Sequence, residues 1–384
     1  MHEIRAARRY DGIDVLRGIS ILAVLVHHIH IRLMFNHVSF EKMLPAWIGR
    51  ILFWNGANGV TVFFAISGFL ITSMSVRRWK GLPGIRPTEF YWLRFARIAP
   101  LLIALLAVLS VLHLEHVTGF VITKTSLSRA LVAALTFHVN WLEAAHGYLP
   151  GNWDVLWSLS NEEVFYLFFP LACLVLRRRW MLLSFLAAFV ITGPFARTLT
   201  HNGLWADYGY LSCMDGIALG CLAALATPWL RERPGVLTTT RIAGVSLMVL
   251  VLCLRPLVRT LHLYETGLDF TALALGTVLL LIPIAVANRT GSKISSPLRW
   301  LGRNSYEIYL THMFVVMFGV QIFVAQKWPV MLAPVYSVVL LLLAIAVGAA
   351  VARWYTEPLN RRLRANSTAG RKAAAPLADS AAGS

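Results

Sequence analysis

The stretch Asp11-Gly-Ile-Asp-Val-Leu-Arg17-Gly-Ile-Ser-Ile-Leu-Ala-Val-Leu-Val-His27-His28-Ile-His30 decides the fold class of this chain. It opens an apolar run over 14–35 that is long enough, as a helix, to cross a hydrocarbon core about 30 Å thick. Yet it carries an arginine and three histidines. Eleven residues separate Arg17 from His28. At about 100° per residue, eleven steps return to within about 20° of the starting face, about 16 Å further along the axis. If Arg17 lies near one membrane face, His28 therefore lies near the midplane. Ionisable side chains at that depth are costly and are functional candidates; the plainer reading of His28 is a neutral ring hydrogen-bonded between helices. His27 and His30 point away from His28, so the three rings do not converge on a metal, and no metal is expected. Arg5, Arg8 and Arg9 precede the run as in a signal peptide, but no small-residue cleavage site follows, which favours an uncleaved first span.

The rest of the chain repeats the pattern. Of 384 residues, 58% are hydrophobic and only 14% charged, and the mean hydropathy is +0.65. That composition excludes an ordinary soluble domain and fits an all-α, polytopic membrane bundle. The net charge of +17 does not point to nucleic acid, because the basic residues fall in short clusters between apolar runs. Spans are expected at about 14–35, 51–75, 91–112, 155–176, 180–199, 208–228, 240–258, 268–288, 304–325 and 329–353. The run 127–142 is short and carries Arg129, His138 and Asn140, so it reads as an interfacial or re-entrant helix on the outer side. With both ends inside, 25 of the 35 Lys and Arg fall on inner segments and nine on outer ones, with Arg17 in between. That asymmetry supports an N-in, C-in arrangement of ten helices. Tryptophans cluster at the span ends, as interfacial rings do. Residues 1–364 are expected to form one transmembrane domain and 365–384 a disordered cytoplasmic tail. Cys173, Cys213, Cys221 and Cys253 lie in apolar runs and read as buried free thiols.

Four more segments carry chemistry. In Phe63-Phe64-Ala-Ile-Ser67-Gly68-Phe69-Leu70, the Ser67-Gly68 pair permits close helix packing and the approach of a narrow ligand. In Phe90-Tyr91-Trp92-Leu93-Arg94-Phe95-Ala96-Arg97, the two arginines share a helix face at the inner mouth. They read either as positive-inside anchors or as a bidentate phosphate site. In Trp157-Ser158-Leu159-Ser160-Asn161-Glu162-Glu163-Val164-Phe165-Tyr166, residues Ser158, Glu162 and Tyr166 form a stripe. The acids either pair with Arg32 or Arg50, or orient an imidazole or an acceptor hydroxyl. In Asn304-Ser305-Tyr306-Glu307-Ile308-Tyr309-Leu310-Thr311-His312, Asn304 resembles a capping-box start. Tyr306 and Tyr309 then face one side, with His312 a turn deeper. Asp215 is an intramembrane acid with no obvious partner.

Together these residues resemble the acyltransferase 3 family of membrane O-acyltransferases over about 10–360. The resemblance is carried by Arg17-x10-His28, Phe-Phe-x-x-Ser-Gly-Phe-Leu at 63–70, and Arg94-x-x-Arg97. Trp-Ser-Leu-x-x-Glu-Glu-x-Phe-Tyr at 157–166, Ser-Tyr-x-x-Tyr-Leu-x-His at 305–312 and Glu357-Pro358 complete it. Gly59-Val60-Thr61 departs from the family's frequent Gly-Val-Asp, so any role for an acid there is absent. No appended esterase-like domain is expected. The resemblance implies transfer of an acyl group, usually acetyl, from cytoplasmic acyl-CoA to a hydroxyl of an extracytoplasmic carbohydrate or glycoconjugate, in the inner membrane of a cell. No bound cofactor is implied, and the oligomeric state is open. On this reading His28 is the general base, with Glu162 or Glu163 orienting it or the sugar; direct transfer and a covalent acyl-histidine are both open, direct transfer being the simpler. Arg94 and Arg97 hold the donor's phosphates, and Arg17 holds a phosphate or the thioester carbonyl. Ser67, Tyr306, Tyr309 and His312 line the substrate path. Acylation of a small glycosylated or lipophilic metabolite is the alternative acceptor reading. A proton-coupled or anion transporter would also place Arg, His and Glu at the midplane. Against it, the chain has no paired broken helices in two matching halves.

Overall fold

A backbone crossing lipid must satisfy its polar groups internally. In the computed structural model, which describes residues 10–365, every regular element is accordingly helical. The first half comprises α1 (Asp11–Phe35), α2 (Ala46–Phe53), α3 (Gly56–Arg78), α4 (Pro87–Leu114), α5 (Leu127–Leu135), α6 (Val139–His146), α7 (Gly151–Asp154), α8 (Leu156–Val175) and α9 (Arg179–Thr198). There follow α10 (Gly203–Tyr208), α11 (Tyr210–Leu230), α12 (Pro234–Cys253), α13 (Arg255–Thr260) and α14 (Leu268–Ala287). The chain closes with α15 (Ser296–Arg303), α16 (Ser305–Ala325), α17 (Ala333–Val351) and α18 (Glu357–Ala365). Among the described residues nine helical stretches are long and apolar enough to cross a membrane. The expected span 155–176 is present as α8 but is not among those nine. Its N-terminal half carries Ser158, Ser160, Asn161, Glu162 and Glu163, which offset the apolar half that follows.

Two span boundaries differ from expectation, and side chains explain both. The expected span 51–75 is split, because Asn55 turns its amide onto Ile51 O (2.8 Å) and Leu252 O (3.1 Å). Such a side chain competes with the helix ladder and ends α2. The expected span 240–258 ends at Cys253, where Leu254 leaves helical geometry before Arg255-Pro256. The run 127–142 is two short helices, α5 and α6, broken at Phe137, whose φ is 60°. Neither is long enough to span. Arg5, Arg8, Arg9 and the tail beyond Ala365 lie outside the described residues.

Close backbone contacts set the core. A Cβ at Gly68 would collide with the Ile217 carbonyl, and one at Gly220 with the Ala65 carbonyl, so α3 and α11 pack backbone to backbone. This bears out the packing role read for Ser67-Gly68. Gly18 and Gly302 do the same for α1 and α15. Helix α1 thus becomes a central post, in contact with α3, α15, α16 and α17. The face bearing Arg17 and His28 is turned to α16, and α8 closes the other side through Trp157, Phe165, Tyr166 and Phe169 packed with Phe64 and Phe90.

Candidate active site

Arg17 and His28 meet the same neighbour, as their spacing requires. Arg17 Nη2 donates to Ser305 Oγ at 2.8 Å. Seven residues along α16, His312 Nε2 lies 3.4 Å from His28 Nδ1, with ring centroids 5.0 Å apart. The carbonyls fix both tautomers. His28 Nδ1 is 2.9 Å from Val24 O and His312 Nδ1 is 2.5 Å from Tyr309 O. A carbonyl only accepts, so both Nδ1 atoms carry hydrogen. His312 Nε2 is then a lone pair facing the His28 Nδ1–H, and the lone pair on His28 Nε2 is left for other chemistry. The neighbouring histidines point elsewhere. His27 Nδ1 is bound by Phe53 O (2.6 Å), and His30 stacks on Phe53 with centroids 4.3 Å apart.

The α8 stripe faces this pair from the opposite side. Ser158 Oγ is 2.8 Å from Tyr309 OH, and the Tyr309 ring lies 5.7 Å from that of His312. Ser67 Oγ donates to Glu162 Oε2 at 2.9 Å, Tyr166 OH donates to the same oxygen at 3.2 Å, and Ser67 and Tyr166 bond to each other. Neither acid pairs with Arg32 or Arg50. Glu163 Oε1 instead accepts from Arg94 Nη2 at 3.1 Å, and Arg94 lies over the Tyr166 ring at 3.7 Å. Arg94 is therefore not a free fork at the mouth. It is largely buried, and its Nε is an orphan donor with no partner. Arg97 rests over Tyr306 at 5.4 Å, and Tyr306 OH donates to Ile98 O at 3.0 Å. Glu307, read in the sequence only as the capping-box partner of Asn304, is buried near Arg97 and Arg17. The charged neighbours of Arg17 include Arg97 and Glu162. These contacts join into one polar column, from Arg94 and Arg97 through Arg17 and Glu162 to the His28–His312 pair.

The column continues through Arg32, read in the sequence only as a partner for the α8 acids, to Asp154, Glu143 and Tyr208, which the sequence reading missed. Arg32, the next charge beyond the two histidines, faces Asp154 on α7. Glu143 on α6 is fully buried beside Asp154, and a buried oxygen of each carboxyl has no hydrogen-bond partner among the described residues. Burial pushes Glu143 well above the usual carboxylate range, and the charge of Asp154 adds to it. Burial likewise raises Asp154 to about 6, against the opposing charge of Arg32. Tyr208 completes the cluster: its ring stacks on Trp157 at 4.1 Å, and its carbonyl accepts from Asn140 (3.1 Å) and Asn161 (3.0 Å). The signal was the polar run Asn152-Trp153-Asp154 just ahead of the Trp-Ser motif.

Three other expectations are corrected. Asp215 has partners: Arg197 Nη2 donates to it at 2.8 Å and Thr271 Oγ1 at 2.5 Å. Asn304 does not cap α16; its amide donates back to Trp300 O at 2.9 Å and closes α15. Cys173, Cys213 and Cys221 are buried free thiols, but Cys253 is exposed, because α12 ends there.

The acyltransferase 3 model, described as an acyltransferase domain, matches residues 10–353. The peptidoglycan O-acetyltransferase OatA of Listeria monocytogenes is 25% identical over 335 residues, covering 80% of this chain and 50% of that protein. The O-acetyltransferase OatA of Staphylococcus aureus is 25% identical over 372 residues, covering 90% of this chain and 56% of that protein. The chain thus spans about half the length of these curated relatives. No solved structure matches it significantly.

Proposed function

The chain belongs to the acyltransferase 3 family, and on that premise we propose that it is a multi-pass O-acetyltransferase of the inner (cytoplasmic) membrane. It takes an acetyl group from cytoplasmic acetyl-CoA and passes it to a hydroxyl of an extracytoplasmic carbohydrate. The names of the relatives, O-acetyltransferases and one of them acting on peptidoglycan, support this class of acceptor. The observation that carries the reading is the His28–His312 pair set in a polar column that runs to the arginines Arg94 and Arg97 at one end.

The donor enters from the end bearing Arg94 and Arg97, which is the cytoplasmic side if both termini are inside. The orphan Nε of Arg94 and the guanidinium of Arg97 suit its phosphates. The thin pantetheine arm then runs along α1 and α16 past Arg17, whose remaining donors face the thioester carbonyl. His28 Nε2 takes the proton of the acceptor hydroxyl as its oxygen attacks the carbonyl carbon. The C–S bond breaks, the thiolate of CoA leaves, and the proton on His28 is then available to it. The imidazolium formed in between is held at Nδ1–H by Val24 O and His312 Nε2. His312 is thus a positioning residue. Glu162, tied to Ser67 and Tyr166, and Glu163, tied to Arg94, fix the opposite wall and orient the acceptor.

Purified protein in nanodiscs is to be given acetyl-CoA labelled in the acetyl group. Release of free CoA with transfer of label to a saccharide is expected. Movement of label or protons across the bilayer with no CoA released would replace the enzyme by a transporter. Reporter fusions after Arg179 and Arg364 are both expected to read cytoplasm; an outside signal at either site removes the proposed orientation.

A further inference from the structure

A second group of cations sits at the end of the bundle where α1 finishes, and the column does not use it. Arg50 on α2 and Arg255 and Arg259 on α13 line a cavity of about 500 Å³ together with Glu41, Trp54 and Pro256. Three guanidiniums thus face one carboxylate, and that carboxylate is already engaged. Glu41 Oε1 accepts from Trp54 Nε1 at 3.1 Å, and Oε2 lies 3.6 Å from His30 Nε2. Arg255 donates to the Trp54 carbonyl. Arg50 and Arg259 have no side-chain hydrogen bond or ion pair among the described residues. Burial first, and then the charges of Arg259 and Arg50, lower the Arg255 pKa, against the opposing charge of Asp269. Like charges gathered around a hollow repel one another until an anion enters.

The cavity is built and is joined to the catalytic histidine. The Asn55 amide bridges Ile51 O and Leu252 O, which fixes the loop carrying Trp54 against the end of α12 and so against α13. The Trp54 ring lies 6.3 Å from that of His27, and the His27 ring 5.5 Å from that of His28. Gly56 permits the approach, since a Cβ there would collide with the His27 ring. The wall of the cavity is therefore two ring contacts from His28, at the end opposite Arg94.

We infer that this cavity is the acceptor subsite and that it takes an anionic saccharide. A carboxylate or phosphate on the sugar is held by Arg50, Arg255 and Arg259, with the ring against Trp54 and a hydroxyl directed toward His28. The guanidinium fork matches either anion. A lipid headgroup offers the same phosphate, but the aromatic link to His28 favours the molecule that is to be acylated. The inference rests on the acyltransferase reading and its orientation.

The test uses the full chain in nanodiscs of zwitterionic lipid and two probes of equal length: an oligosaccharide of uronic acids and its carboxyl-reduced, neutral counterpart. The uronate is expected to bind in a salt-sensitive way. The double variant Arg50→Gln, Arg259→Gln should weaken it roughly tenfold or more. Lysine at both positions should restore part of the loss, and the neutral probe should respond to neither change. If the double Gln variant does not fold, Arg259→Gln alone, at an exposed position, carries the comparison. Equal binding of the neutral probe, or unchanged uronate binding in the Gln variant, overturns the inference. So does displacement of the uronate by added phosphatidylglycerol, which would make the cavity a headgroup site. CoA release by the unaltered protein is scored separately. Its absence overturns the enzyme reading whatever the uronate does; its presence with no uronate preference overturns the anionic subsite alone.

Discussion

Two arginine–carboxylate pairs lie buried in this bundle, and they are built differently. Arg197 and Asp215 are saturated. The arginine reaches Asp215 Oδ2 (2.8 Å), Thr271 Oγ1 (2.6 Å), Gly267 O (2.8 Å) and Ser212 O, while Asp215 Oδ1 accepts from the Gly216 amide at 2.8 Å. Their side chains are 6% and 4% exposed. Arg94 and Glu163 share a single bond, 25% and 9% of their side chains are exposed, and the Arg94 Nε is left without an acceptor. A closed pair joins helices and has nothing left to bind. An open pair keeps donors in reserve for something that arrives. On this difference α9, α11 and α14 form scaffold, and α1, α4, α8 and α16 form the site.

The comparison breaks first at the closed pair. Arg197→Ala leaves Asp215 buried with its main partner gone, which costs about 3–5 kcal/mol. A sharp fall in thermal stability and in yield is expected, with turnover per folded molecule retained. If Arg197→Ala is stable but inactive, the closed pair belongs to the chemistry. At the open pair the order reverses. Arg94→Lys keeps the charge but loses the planar fork, so the thermal midpoint should move little. The KM for acetyl-CoA should rise roughly tenfold, in line with a lost charge-assisted hydrogen bond of about 1.5 kcal/mol. An unchanged KM would leave Arg94 as an anchor.

The smallest effect is expected at Glu143 and Asp154. Glu143 and Asp154 hold protons more tightly in the fold than the free side chains do, with Asp154 raised to about 6. Stability from such groups is complete at low pH and is lost as pH rises through the folded value. Thermal unfolding should therefore ease by on the order of 1 kcal/mol between about pH 5 and about pH 7. Glu143→Gln should flatten that slope. A slope of opposite sign would mean that the fold holds the two acids ionised.

What the sequence made legible follows from the range over which each signal acts. Hydropathy is local, so nine of the expected spans recur as apolar helices and the tenth as α8, whose N-terminal half is polar. Helical phase is local too, and it turned Arg17 and His28 to one face and His27 and His30 away from it. Pairings between helices are not local. His28 and His312 are separated by 284 residues, Arg94 and Glu163 by 69, and Arg197 and Asp215 by 18 across a turn of chain. No periodicity reports them, which is why Asp215 read as unpartnered and Arg94 as free. Asn304 shows the same limit at short range, since its cap geometry depends on whether its amide turns forward to α16 or back to Trp300.

The most direct measurement is acetyl transfer from labelled acetyl-CoA by His28→Ala, beside His27→Ala and His30→Ala, in nanodiscs at matched folded concentration. General-base work contributes roughly 10²–10⁴-fold, so His28→Ala should lose turnover on that scale while still binding acetyl-CoA. His27→Ala and His30→Ala, whose rings are held by Phe53 and Glu41 instead, should keep most of it. Near-normal turnover in His28→Ala, or loss confined to His30→Ala, would contradict the assignment of the polar column as the site of acyl transfer.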